Sequence, residues 1–140
     1  MTESLLAQAA PFVGAPYRLH GRIPDGWDCW GCVHYLRETL LGKATPSWAD
    51  LYSPLDGASG ARILADKTQR LIAERLHAWT AVPPRAGAVV LLTVFDRAAH
   101  VGLMLDGHNF IHALGTQPAT VINTTRDPRW VHRVRGFYDA

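Results

Sequence analysis

The sequence predicts an α+β fold: N-terminal helices packed on an antiparallel sheet of about five strands. Three observations carry this. An apolar stripe of Trp30, Val33, Leu36, Leu40 and Leu41 follows Asp28 at helical spacing and stops at Gly42. A second stripe, Ile63, Leu64, Leu71, Ile72, Leu76 and Trp79, predicts a long helix from about Gly60 to Trp79. Past Pro83 and Pro84 come AVVLLTV, HVGLML, NFIHAL, ATVIN and WVHRVRGFY. They are short, rich in β-branched and aromatic residues, and separated by turn residues, with no helical stretch between them.

Each element has a local reason. Leu5, Leu6 and Ala9 share one face of a short first helix that Pro11 ends. PFVGAPYRLHGRIPDGW holds three prolines and three glycines, which predicts a shaped loop. Asp28 is a good N-cap, so Cys29 falls in the first turn of the next helix. Residues 43–60 are rich in Pro, Gly, Ser and Thr and read as a surface loop, with Ser59 capping the second long helix.

Composition bounds the function. A chain of 140 residues suits a single domain, residues 1–140, able to bury roughly 70% of its unfolded surface. A formal charge of +2 is too small to argue for nucleic acid. Arg126, Arg129, Arg133 and Arg135 read as a solvated edge. No run approaches the ~18 apolar residues of a membrane span, so membrane insertion is not expected. MTESLLAQAA has neither a basic start nor a long apolar run, which predicts synthesis in the cytoplasm without a signal peptide. Two cysteines three positions apart cannot staple a fold.

The chemistry centres on Cys29. A cysteine nucleophile works as its thiolate, and a helix N-terminus and a nearby imidazole both favour that form. Asp28 opposes it and is expected to turn its charge onto the helix amides instead. Of seven histidines, His100 and His112 stand out, each in an apolar strand and joined by a DGHN turn. Their side chains share a face only if the turn has an odd number of residues or a bulge. As diagonal neighbours their Cβ atoms then lie roughly 7 Å apart, close enough for one imidazole to orient the other. His34 and His77 fall on helices and read as surface residues.

GAPYR, DCWG, HVGLML and FIHA together resemble the NlpC/P60 cysteine peptidases, over about Val13 to Tyr138. The resemblance implies a papain-like fold. It implies Cys29 as nucleophile, His100 as base, His112 as the residue that orients the base, and Tyr17 as a partner of the oxyanion. It further implies peptidoglycan stem peptides as substrate, cut between γ-D-glutamate and a diamino acid, with no metal or cofactor. Asp28 and Trp30, on either side of Cys29, and His20, just after the PYR motif, are expected on the substrate side. Trp30 stands where the family commonly has Ser, Ala88 where Asp is frequent, and His20 where a small or aromatic residue is common. DCWG and SWADLY look most like the subgroup of phage tails and gene transfer agents. That implies action from a virion tail at the host periplasm, with tail-tip or hub proteins as partners.

Three rivals remain at this level. A structural tail-tip component of the same fold, with little or no activity, is compatible with the motifs, and Trp48, Tyr52 or the arginine segment would be its docking surface. CWGC is a C-x-x-C at a helix start, as in thiol redox proteins, but a Pro/Gly-rich loop precedes it in place of a strand. Two Cys and two His suggest zinc, but their spacing is unlike that of a finger.

Overall fold

The computed structural model describes residues 3–51, 71–94, 97–115 and 119–140, and the side chains of 94 and 97–99 are outside that description. Helix α1 spans Leu5–Ala9, capped by the Ser4 side chain, and gives way to a 3-10 turn at Ala10–Phe12 that contains Pro11. Ala9 is buried and Leu5 packs on the core, whereas Leu6 is exposed. The loop expected at residues 11–27 is more regular than its composition suggests. Strands β1 (Arg22–Ile23) and β2 (Gly26–Trp27) pair as a small hairpin, and Tyr17 bridges to Trp27.

Helix α2 runs Cys29–Leu41, the span expected from its cap and stop. Gly42 ends it in the left-handed conformation (φ 63°), which glycine adopts without a Cβ clash. Trp30, Val33 and Leu36 are fully buried, each burial worth roughly 1.5–3 kcal/mol. Residues 71–76 are helical and are designated α3, with Ile72 and Leu76 buried. The rest of the expected helix, its Ser59 cap and Tyr52 lie outside the described residues.

The main sheet contains β3 (Thr80–Ala81), β4 (Val89–Val94), β5 (Arg97–Met104), β6 (Asn109–Ala113), β7 (Thr120–Thr124) and β8 (Val134–Asp139). Their order is β3-β8-β4-β5-β6-β7, and every pair is antiparallel. The five expected strands are present, and the two-residue β3 adds a sixth at the β8 edge. Strand β8 begins later than its apolar run because Trp130–Arg133 form turns. Alternation splits the sheet into two faces. Val89, Leu91, Val101, Leu103, Ile111 and Ala113 pack with the helices. Val90, Leu92, Met104 and Phe110 pack on the other side with Trp130.

A buried ion cluster ties α2 to the end of the sheet. Arg37 is fully buried and donates to Thr45 Oγ1, the Gly87 carbonyl and Asp139 Oδ1. Lys43 and Arg85 also pair with Asp139. Burial alone would raise the Asp139 pKa, but its bonds to Lys43, Arg85, the Ala140 amide and Arg37 outweigh it and hold the group at about 2.

Candidate active site

The first turn of α2 sets the position of Cys29. Asp28 Oδ1 accepts from the Gly31 amide at 2.8 Å and from Arg22 Nη1 at 3.0 Å, while Oδ2 accepts from the His20 amide at 2.9 Å. The expected turning of Asp28 onto a helix amide is therefore formed, with Arg22 and His20 joining it. Gly31 and Gly21 allow the loop to lie directly on this turn, since a Cβ on Gly31 would overlap the Gly21 carbonyl. Trp27 anchors the same loop to β7: its Nε1 donates to Thr120 Oγ1 at 2.8 Å, and Thr120 Oγ1 donates to the Ala15 carbonyl.

Cys29 is buried, and the backbone amides of Val101 and Trp30 bear on its sulfur. Val101 follows His100 on β5. The β5–β6 ladder reaches only Leu103↔Ile111 at this end, so the α2 terminus meets β5 where that pairing has stopped. The Trp30 amide is the expected favourable contribution of the helix start. It does not prevail. Burial, and after it the Asp28 charge, push the Cys29 thiol up to about 12, against the smaller opposing effects of the Val101 amide, Arg22 and the Trp30 amide. The resting group is a protonated thiol, the reverse of what the helix position alone predicts.

The two histidines meet. Leu105 and Asn109 close the β5–β6 hairpin (N–H to carbonyl, 2.8 Å), leaving Asp106, Gly107 and His108 as a three-residue loop. The loop has the odd length that puts His100 and His112 on one face. Asp106 Oδ1 shapes it by accepting from the amides of His108 and Asn109. His100 Nε2 lies 2.7 Å from His112 Nδ1. Gly102 makes room for this pair, since a Cβ there would press on Phe110, the Ile111 carbonyl and the Cβ of His112. Burial, reinforced by His112, lowers the His100 pKa well below its ordinary value. Burial likewise takes His112 to about 4, Arg129 acting in the same direction and the Asn123 bond opposing both. Both rings are neutral at pH 7.

Two residues of this neighbourhood were not singled out from the sequence. Asn123 on β7 has its Oδ1 2.7 Å from His112 Nε2. Trp130 is buried against both rings, edge-on to His112 (5.0 Å, 84°) and near-parallel to His100 (6.2 Å, 25°). The available sequence signal for Asn123 was a polar side chain inside the apolar ATVIN run. Trp130 sits at the end of a DPRW turn and carried none.

Tyr17 lies within electrostatic reach of Cys29 and Asp28. Burial raises its pKa most, those two charges add to the rise, and Arg22 opposes it. The residue as a whole still shows 37% of its surface to solvent. Trp30 corrects an expectation. It is fully buried, donates to the Pro46 carbonyl at 2.9 Å and stacks on Trp48 at 4.2 Å. One step along a helix turns a side chain by about 100°, so the residue after the thiol faces the core and not the substrate. Trp48 is half-buried and packs on Trp30 and Trp79 against the core. His20 Nε2 holds the Ala49 carbonyl at 2.6 Å, with its backbone in the left-handed region (φ 69°). Among the described residues, no group of three or more His, Cys, Asp or Glu is placed to hold a metal ion, and no helix is long and apolar enough to cross a membrane.

Comparisons with known proteins bear on the family and the fold. The chain is 24% identical over 134 residues to "Probable peptidoglycan endopeptidase LytE" of Bacillus subtilis, a match that takes in 92% of the chain and 33% of that protein. The chain thus spans about a third of the length of this curated relative. The NlpC/p60 domain of peptidoglycan hydrolase SagA superposes with a TM-score of 0.56 at 20% identity, over 98% of this chain and 97% of that one. An NlpC/P60 family protein of Bacillus cereus gives 0.63 at 18% identity, over 97% of this chain and 39% of that one. At those identities the structures speak for the fold. The sequence model of the NlpC/P60 family matches residues 14–138, nearly the whole chain, and the protein therefore belongs to the NlpC/P60 family.

Proposed function

We propose that the protein is a cysteine endopeptidase that hydrolyses an amide bond in peptidoglycan stem peptides. The observation that carries the reading is the imidazole pair, His100 Nε2 to His112 Nδ1 at 2.7 Å, on the strand whose next amide meets the Cys29 sulfur. Family membership and the endopeptidase relative support the substrate class.

The chemistry starts from a neutral thiol and a neutral imidazole. His100, its Nε2 engaged by His112, has Nδ1 left to take the Cys29 proton as the sulfur attacks the carbonyl carbon. The Cys29 amide, in the first turn of α2, has no partner within its helix and is suited to the developing oxyanion, and by family resemblance the Tyr17 hydroxyl joins it there. His100 then returns the proton to the leaving amine, and water delivered through the same base opens the thioester. Asp28 stabilises the helix start that presents the thiol. By family resemblance the bond is γ-D-glutamyl–diamino acid. DCWG and SWADLY support the setting of a phage-like tail, with tail-tip or hub proteins as partners and action at the host periplasm.

The test is muropeptide release from purified peptidoglycan by wild type and by Cys29→Ala of matched thermal stability. Release by wild type alone, with product masses showing the cut bond, is the expected outcome. A folded wild type that releases nothing overturns the hydrolase reading and leaves the structural tail component. Equal release by Cys29→Ala removes Cys29 as nucleophile.

A further inference from the structure

We propose that Asn123 is a positioning residue that decides which nitrogen of each histidine carries the proton, and so makes His100 a base toward Cys29. The inference rests on the reading of His100 as that base. The placement comes from register. On β6 and β7, His112 pairs with Val121 and Phe110 with Asn123, so His112 and Asn123 are diagonal neighbours on one face. The Asn123 Oδ1 lies 2.7 Å from His112 Nε2.

A carbonyl oxygen only accepts, so His112 Nε2 must carry its proton. A neutral imidazole has one N–H, which leaves His112 Nδ1 as a bare lone pair. That lone pair, 2.7 Å from His100 Nε2, accepts from it. His100 then has its own proton on Nε2 and a lone pair on Nδ1. One amide orientation therefore propagates through two rings. With the amide reversed, its NH₂ would donate to His112 Nε2, both rings would switch tautomer, and His100 Nδ1 would bear a proton where a base needs a lone pair.

The surroundings keep the chain neutral. Phe110 (4.6 Å) and Trp130 (5.0 Å) cover the His112 ring. The charged group that bears on His112 is Arg129, from the β7–β8 connection, which disfavours a second positive charge and is itself paired to Asp127. Arg133 lies over the Trp130 ring at 5.5 Å. From β5, His100 is the titratable neighbour. A proton added to His112 Nδ1 would turn that acceptor into a donor facing the His100 N–H, so this pair of tautomers holds only while both rings are neutral.

The experiment combines ¹⁵N-histidine NMR with kinetics on wild type, Asn123→Leu and Asn123→Asp. Wild type is expected to show both rings as the Nε2–H tautomer at pH 7. Asn123→Leu removes the acceptor at similar size; His112 should become a tautomer mixture and kcat should fall tenfold or more, with KM within about twofold. Asn123→Asp keeps an acceptor, so it should retain the tautomers and most of kcat. Its carboxylate stabilises the imidazolium, so the acid limb of the pH–rate profile should move to higher pH. A His112 Nδ1–H tautomer in wild type, or unchanged tautomers and kcat in Asn123→Leu, overturns the proposal. Correct tautomers in a wild type that cleaves no peptidoglycan would instead overturn the hydrolase reading, because the NMR readout does not depend on activity.

Discussion

Lowering the pH from 7.5 to 4.5 should destabilise the protein through the histidine pair before carboxylates contribute much. His112 takes a proton near 6.5 when unfolded but only near 4 when folded. Between those values the unfolded state binds more protons, so stability is full above 6.5 and falls as the pH drops toward 4. At 1.36 kcal/mol per pH unit that gap corresponds to about 3 kcal/mol, of which about 2.5 kcal/mol is gone by pH 4.5. His100, also held below its ordinary value by burial and by His112, acts in the same direction. Asp139 does not confuse the window: its pKa is lowered from 3.8 to about 2, so its contribution is lost as the pH falls through that range, below the 4.5 used here. Against a typical net stability of 5–15 kcal/mol the loss is large. Urea denaturation at pH 7.5 and 4.5 measures it, with His112→Phe as the comparison that removes the titrating ring. A wild-type loss below ~1 kcal/mol, or a His112→Phe loss as large as that of wild type, would refute the argument that this ring is buried neutral.

Two further outcomes follow from charges outside the imidazole pair. Asp139→Asn leaves the fully buried Arg37 without its carboxylate, and urea denaturation should show a loss of about 3–5 kcal/mol at pH 7. Asp28→Asn keeps an oxygen for the Gly31 amide but removes the charge that, after burial, most raises the Cys29 pKa. The thiol pKa should fall yet stay above that of a free cysteine, and iodoacetamide labelling at pH 8 should speed up about tenfold for each pH unit of the fall.

The sequence by itself determined the parts whose causes are local. Asp28 as cap, the stripe from Trp30 to Leu36 and Gly42 as stop define α2, and they place Cys29 in its first turn. Alternation and turn residues define β4 to β8. Side-chain parity stated in advance which hairpin loop would bring His100 to His112, and Asp106–His108 is such a loop. Other features depend on partners far along the chain, and only the tertiary structure decided them. Trp30 is adjacent to the thiol in sequence, yet it faces the core because Pro46, Trp48 and Trp79 meet it there. Asn123 and Trp130 reach His112 across a strand and a turn that motif spacing does not connect. The Cys29 thiol is protonated at rest because desolvation depends on how deeply the α2 terminus is buried against β5. Helix position fixes the direction of a local field, but burial is a sum over the whole fold, and here the burial is the larger effect.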